Sequence, residues 1–481
     1  MTTTFPNTQL FINGIWQDAE KAEWLEVVDP ATEDVVGKVA LARTADLDLA
    51  LEAAEKAFRT WKEVAPFARY KMMRKAGDLI RERADYIARL MTIEQGKPLF
   101  EAKGETMLAA DTIDWYAEEG RRAYGRIIPS QFTGVNQMVI REPVGVVAAF
   151  SPWNFPINQA VRKISGAVAA GCSIIIKGPE ETPASCAELV RAFADAGIPD
   201  GVVNLVYGVP AEISSYLIPH PVVKKISFTG STAVGKQLAS LAGLHMKLAT
   251  MELGGHAPAI VFDDADINSA LDVLTTQKFR NAGQVCVAPT RFMVQEKMYD
   301  RFVEGYIEIA KNIVVGNGLD SATTMGPLAN ERRLTAMDDL VANAVDTGAT
   351  VHTGGKRLGN KGYFFGPTVL TDVGLEAQIM NEEPFGPLVP ISSFHDLNEA
   401  LAEANRLPYG LAAYAYTSSS KTADALARGI ESGIIGINHH GQPSIETPFG
   451  GIKDSGYGKE NGSEGLSAFM HEKLVSHKTD L

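Results

Sequence analysis

Val144-Gly145-Val146-Val147-Ala148-Ala149-Phe150 is a continuous apolar run bounded by Pro143 and Pro152. It lacks the in–out alternation of a half-exposed strand, so it reads as a strand buried on both faces, the environment a parallel sheet provides. Residues 157–170 read as a helix, and the same unit then repeats. Residues 172–177 read as a strand, 183–196 as a helix, and 202–206 and 225–230 as strands, with a helix opening at Ser231. Alternation sustained over about 100 residues predicts an open, doubly wound parallel sheet whose ligand site lies at the carboxyl ends of its strands. After Met251-Glu252-Leu253-Gly254-Gly255 it resumes, with strands at 259–262 and 291–294 and helices at 267–280 and 299–314. The Gly254-Gly255 pair reads as a hinge between two such sheets.

Outward from this core, Phe11-Ile12-Asn13-Gly14-Ile15-Trp16 reads as a hairpin, because Asn-Gly suits a type I′ turn with positive φ at both central residues. Apolar residues at three- and four-residue spacing predict helices from Asp46 onward, over 68–94 and over 100–117. Residues 122–141 break that pattern with Gly125, Pro129 and Gly134 before a strand-like run, Gln137–Arg141. They read as an extended arm, and residues 467–478 are expected to return and pair with it. Residues 432–438 are strand-like, and Pro448-Phe449-Gly450-Gly451 reads as a loop. The expected fold is α/β, with two doubly wound parallel-sheet domains plus a small β oligomerisation arm. The boundaries read as 1–121 with 142–252, then 253–438, with 122–141 and 439–481 as oligomerisation and bridging segments.

A chain of 481 residues, 45% hydrophobic and 21% charged, is ordinary for a folded protein of two or three domains. Its net charge of −13 argues against a nucleic-acid or anionic-membrane surface. Cys172, Cys186 and Cys286 are scattered, which argues against a disulfide framework and against a metal site. The start has no basic segment followed by an apolar one, and no apolar run is long enough to span a bilayer. A reducing cytoplasm is the expected setting.

Cys286 lies in Phe279-Arg280-Asn281-Ala282-Gly283-Gln284-Val285-Cys286, where Asn281, Gly283 and Gln284 look unlike core residues. A lone cysteine is either structural or a nucleophile, and a nucleophile needs a base and an oxyanion donor. Glu252, at a strand end beside two glycines, is the candidate base; burial would raise its pKa towards a useful range. The alternative is a solvated glutamate. Asn154, in Pro152-Trp153-Asn154-Phe155-Pro156, could donate to an oxyanion or simply cap a helix. Thr229-Gly230-Ser231-Thr232-Ala233-Val234-Gly235 follows a strand and opens a helix, which suits a phosphate, although its glycine spacing is not the dinucleotide fingerprint. Lys177 and Glu180 leave a neighbouring strand end. They suit ribose hydroxyls or, alternatively, a surface ion pair. A carboxylate there would repel a 2′-phosphate and favour NAD over NADP.

Pro-Trp-Asn-Phe-Pro, Phe-Thr-Gly-Ser-Thr, Met-Glu-Leu-Gly-Gly, Gly-Gln-Val-Cys and Glu382-Glu383-Pro384-Phe385-Gly386-Pro387 occur in an order that resembles the aldehyde dehydrogenase superfamily along nearly the whole chain. The 34 residues from Glu252 to Cys286 also match that family. The resemblance implies that Cys286 attacks an aldehyde, that Asn154 and the Cys286 N–H hold the oxyanion, and that Glu252 activates water to hydrolyse a thioester. It implies adenosine-ribose contacts at Lys177 and Glu180, a pyrophosphate contact at Ser231, a nicotinamide-ribose ligand at Glu383 and a ring neighbour at Phe385. Trp153, Gly230, Gly235 and Leu253 complete the cofactor set, with NAD preferred and NADP possible. Lys177-Gly178-Pro179-Glu180 departs from the family's usual Lys-Pro-Ala/Ser-Glu.

Within the family the chain is most similar to succinate-semialdehyde dehydrogenases. That likeness implies a substrate carboxylate bound by Arg162, Arg280 and Ser444. Four-residue spacing also places Arg162 on a face with 154 and 158. Ala288 stands where some members carry a second cysteine, so no redox-switch disulfide is expected. Glutarate semialdehyde, a keto-acid semialdehyde or an aryl aldehyde are the alternative substrates; Glu252 argues against a CoA-acylating enzyme, and the retained Cys286, Glu252 and Asn154 against a non-catalytic homologue. No metal is implied. The resemblance further implies a homo-oligomer, a dimer or tetramer.

Overall fold

The computed structural model describes residues 5–439 and 444–479. Five parallel strands form the first sheet: β1 (Val146–Phe150), β2 (Ser173–Lys177), β3 (Val203–Val206), β4 (Val223–Thr229) and β5 (Leu248–Glu252), in the spatial order β5-β4-β1-β2-β3. Every residue of β1, β2 and β3 is buried, which explains their uninterrupted apolar sequences. Antiparallel strands close both edges. Leu10–Ile12 pairs with β3 and turns through Asn13 (φ 51°) and Gly14 (φ 80°) into Ile15–Gln17, as a type I′ hairpin requires. Gly456–Tyr457 pairs with β5 at the other edge.

The second sheet comprises β6 (Ala257–Val261), β7 (Pro289–Gln295), β8 (Thr368–Thr371), β9 (Leu388–Phe394), β10 (Ala412–Tyr416) and β11 (Ile434–Ile437). These six are parallel in the order β8-β9-β7-β6-β10-β11, with Thr350–Thr353 antiparallel at the edge. The third sheet is the arm. Met470–Lys478 runs antiparallel to Val135–Pro143 along its whole length, and Arg126–Ile128 pairs on the far side. The return strand that the sequence predicted is therefore present.

The helix expected over 68–94 is two helices, Pro66–Glu82 and Ala84–Gln95, bent at Arg83. The bend lets both pieces pack on α1 (Leu99–Gly120) and on the helix Pro183–Asp195. α2 (Pro156–Ala170) is buried at every position, enclosed between the first sheet and other helices. α3 (Thr232–Leu244) follows β4, and α4 (Ile267–Phe279) leads into the Cys286 loop.

Parallel pairing brings the carboxyl ends of the strands together. Phe150 is opposite Lys177, and Thr229 is opposite Glu252. The chain crosses between the sheets at Leu253–His256, where the Gly254-Gly255 pair makes room. A Cβ on Gly254 would lie 2.5 Å from Glu383 Oε2, and one on Gly255 would lie 3.1 Å from the Cys286 carbonyl. Neither glycine has positive φ, so close approach of neighbouring groups accounts for the pair.

Candidate active site

Two cavities meet at Cys286. The first, about 380 Å³, is lined by residues of α1 and α2, by Arg280 and by Phe449. The second, about 320 Å³, is lined by Trp153, Asn154, Gly230, Ser231, Glu252, Leu253, Glu383 and Phe385 among others. Among the described residues only Cys286 and Gln159 line both. Gln159 was missed in the sequence, where it is one more polar residue at a helix start.

The Cys286 loop is built by three consecutive left-handed residues, Asn281 (φ 49°), Ala282 (φ 52°) and Gly283 (φ 73°). A Cβ on Gly283 would lie 2.2 Å from the Gly386 carbonyl oxygen, so only glycine fits there. Asn281 and Gln284 looked too polar for a core. They are nevertheless buried, because their amides are satisfied internally. Asn281 Oδ1 accepts from Gln95 Nε2 (2.8 Å), Gln284 Nε2 donates to the Asn281 carbonyl (3.0 Å), and Gln284 Oε1 accepts from the Ala329 N–H (2.9 Å). Their polarity fixes the loop in place. Cys286 is partly exposed where the cavities meet, but burial of its sulfur, chiefly, pushes the thiol up to about 12.

Asn154 is not a helix cap. α2 begins at Pro156, and its first N–H groups, from Ile157 and Asn158, are held by the Glu105 carboxylate of α1 (3.2 and 3.1 Å). Asn154 Nδ2 instead donates to the Gln284 carbonyl (3.0 Å), two residues before Cys286. Its backbone carbonyl accepts from Lys97 Nζ (2.8 Å) and Asn281 Nδ2 (2.9 Å). Lys97 is wholly buried, paired with Glu105 at 2.5 Å and seated 4.0 Å from the Phe155 ring centroid. Because Asn154 precedes α2, it faces the second cavity, while Asn158 and Arg162 face the first. The common face expected from four-residue spacing therefore holds only for the last two.

Glu252 ends β5, is 2% exposed, and neither carboxylate oxygen has a hydrogen-bond partner among the described residues. Burial first, and the nearby Glu460 second, hold its carboxyl well above the usual range. Glu460 pairs with Lys163 Nζ at 2.5 Å and lies 3.9 Å from Arg162 Nη1. A dry carboxyl with a raised pKa is a stronger base once it has lost its proton, which suits general-base chemistry.

The second cavity opens onto a helix start whose chemistry suits a phosphate. No side chain caps the first turn of α3, so its N–H groups remain open to phosphate oxygens. Gly235 seats that helix on Leu253, since a Cβ there would meet Leu253 Cδ2 at 2.1 Å. Burial raises the Glu383 carboxyl to about 7, and its Oε1 has no hydrogen-bond partner among the described residues. Phe385 is held at φ 45° by Arg333, whose Nη2 donates to the Pro384 and Phe385 carbonyls (2.5 and 3.1 Å). Arg333, which also lines the cavity, had no signature in the sequence. Lys177 and Glu180 pair with each other at the neighbouring strand end and are not among the lining residues, nor is Gly235.

In the first cavity Arg162 is 8% exposed and lies 4.4 Å from the Phe449 ring centroid, with no hydrogen-bond partner on Nε or Nη1 among the described residues. Arg280 lies 5.3 Å from the Phe155 ring centroid. Ser444 is exposed, sits in a turn with Thr447 and lines neither cavity.

A cysteine thus stands at the junction of two cavities, and a buried carboxyl and a side-chain amide line the second of them with it. The chain belongs to the aldehyde dehydrogenase family, whose description matches residues 16–475. It is 46% identical to 4-(hydroxymethyl)benzenesulfonate dehydrogenase TsaD1 of Comamonas testosteroni over 99% of each chain. It is 41% identical to succinate-semialdehyde dehydrogenase [NADP(+)] GabD of Escherichia coli, over 97% of each. The crystal structure of succinate-semialdehyde dehydrogenase from Burkholderia pseudomallei superposes with a TM-score of 0.98 over the full length of both chains, at 39% identity. No helix among the described residues is long and apolar enough to cross a membrane.

Proposed function

We propose that this aldehyde dehydrogenase oxidises an aldehyde carrying a second, anionic group at its far end, with succinate semialdehyde to succinate as the simplest case. One observation carries the reading: two guanidiniums, Arg162 and Arg280, line the cavity that ends at the Cys286 sulfur. Guanidinium groups on a half-dry wall are suited to a carboxylate or sulfonate. The relatives support the anion rather than one particular anion. The Escherichia coli protein is named for a semialdehyde of a dicarboxylic acid, the Comamonas protein for a benzenesulfonate.

In this reading the aldehyde carbon reaches Cys286 with its anionic end towards the arginines. The thiolate form of Cys286 adds to the carbonyl carbon, and the side-chain amide of Asn154 turns from the Gln284 carbonyl to the developing oxyanion. The carbon then gives up its hydride to leave a thioester on the sulfur, and Glu252 takes a proton from the water that displaces the sulfur and releases the acid. Lys97 and Asn281 keep Asn154 in register through its backbone carbonyl. A bound nicotinamide nucleotide supplies the hydride acceptor. Trp153, Gly230, Ser231, Leu253, Glu383 and Phe385 would hold it, with Lys177 and Glu180 at its ribose and Gly235 seating the phosphate helix.

A panel of kcat/KM values tests the substrate. Succinate and glutarate semialdehydes are expected to exceed butanal by about 100-fold, the range seen when a buried charge loses its partner. Arg162→Gln should erase most of that difference, and equal values for butanal and succinate semialdehyde in the parent enzyme would overturn the reading. NAD is the preferred acceptor, because the Glu180 carboxylate opposes a 2′-phosphate. Glu180→Ser is expected to raise the NADP-to-NAD ratio of kcat/KM by about tenfold, a modest change for removal of one repelling charge. An unchanged ratio would place cofactor choice elsewhere. The arm and the C-terminal strand belong, in the same reading, to a dimer or tetramer contact, which fits exposed Tyr124, Ile127, Phe132 and Leu474 on that sheet and its loop.

A further inference from the structure

Gly104 lies inside α1, where glycine is a poor helix former, and it lines the first cavity. Packing does not require it. A Cβ built on Gly104 meets no atom within 4 Å, whereas one on Gly120, the other glycine of α1, would come within 3.0 Å of the Ala169 carbonyl oxygen. Phe100, Gly104 and Leu108 follow one another at four-residue intervals and all line the cavity, so they share a face of the helix at its mouth. Phe100 and Leu108 are both exposed there, and Gly104 is a notch between them.

Beyond that notch the walls are aromatic. Phe155 and Phe449 each support a guanidinium, from Arg280 and Arg162 respectively. Flat apolar faces with cations along their edges complement a ring that bears an anionic substituent, because ring–ring contact and charge pairing are then satisfied together. A cavity of about 380 Å³ also exceeds what a four-carbon chain fills.

Resting on the anionic-aldehyde reading above, we propose that Gly104 sets the width of the substrate mouth and that the enzyme's preferred substrates are aromatic aldehydes with a carboxylate or sulfonate across the ring. A side chain at 104 would close the notch to a ring while a narrow aliphatic chain still passes.

The test uses the full-length enzyme, Gly104→Ala and Gly104→Leu, with 4-carboxybenzaldehyde, benzaldehyde, succinate semialdehyde and butanal. The readout is the ratio of kcat/KM for 4-carboxybenzaldehyde to that for succinate semialdehyde, which cancels any difference in active fraction. Both variants replace glycine with a better helix former, so folding is not at risk. The ratio is expected to exceed one in the parent enzyme, to fall modestly in Gly104→Ala and to fall about tenfold or more in Gly104→Leu. A parent ratio below one, or a ratio that Gly104→Leu leaves unchanged, overturns the proposal. Failure of the anionic reading is separate: benzaldehyde would then match 4-carboxybenzaldehyde, and butanal would match succinate semialdehyde, whatever residue 104 is.

Discussion

Cys286→Ala is expected to lower kcat/KM for every aldehyde by roughly 10⁴–10⁶-fold, the loss typical when a covalent nucleophile is removed, while nucleotide binding measured by fluorescence quenching stays within about threefold. The two readouts separate because the thiol lies at the junction of the cavities, and the nucleotide-side groups Ser231, Leu253 and Glu383 do not depend on it. Residual turnover at a hundredth of the parent rate would mean that another group performs the attack. The environment of the sulfur adds a pH signature. Burial pushes the thiol up to about 12; Glu383 and Glu252 push it the same way, and Arg162 and Arg280 partly oppose them. Below that value only a small fraction is thiolate, and this fraction rises tenfold per pH unit. Inactivation by iodoacetamide without nucleotide should therefore accelerate about tenfold per unit between pH 7 and 9. A plateau in that window would show a sulfur already ionised at neutrality.

Glu252→Gln should separate the two halves of the reaction. The amide keeps the shape of the carboxyl but cannot take a proton from water. The variant is expected to release one equivalent of reduced nucleotide per active site in a rapid burst and then to turn over about 10²–10⁴-fold more slowly than the parent. The parent's slow phase should accelerate as pH rises above the ordinary carboxylate range. Glu252 is held well above that range, mainly by burial and then by Glu460, so its basic form is scarce at low pH and grows as pH increases. The variant's slow phase should lose that dependence. An unchanged steady-state rate would transfer the base role to another group.

The first sheet was legible because its central strands are buried on two faces, whereas the second was read only at 259–262, 291–294 and 432–438, and its strands Thr368–Thr371, Leu388–Phe394 and Ala412–Tyr416 were missed. A short continuous apolar run such as 144–150, closed by proline at each end, is too short for a helix of ordinary length and too uniform for a half-exposed strand. The return strand was legible because the arm's Gln137–Arg141 segment needed a partner. The bend at Arg83 was not, since the apolar spacing continues through it and packing on two other helices decides it. Cys286, Glu252 and Asn154 could be found because short motifs carry them. Lys163 and Glu460 could not, because their meaning is their proximity to each other, 297 residues apart in the chain. One signal for Lys163 was present: Arg162 and Lys163 are the only charges in a helix otherwise apolar enough to be fully buried. Lys97 and Glu105 gave none, one being an ordinary charge before a helix and the other an ordinary charge within it until the fold brings them under Asn154. Asn281 and Gln284 misled for the opposite reason. Polar side chains read as exposed unless their hydrogen-bond partners, such as Gln95 and the Ala329 N–H, are known.

The meeting of two cavities at a single sulfur also bears on how such an enzyme can be altered. The wall formed by Phe100, Gly104 and Leu108 belongs wholly to one side of the junction, and no residue of that helix lines the other. Changes at these three positions can redirect which aldehyde is accepted, whereas Glu101 and Glu105 between them hold the Asn281 N–H and the start of α2 and have to stay. Redox partner and carbon source can thus diversify independently, and a small mutational library confined to one helical face is enough to explore the second without disturbing the first.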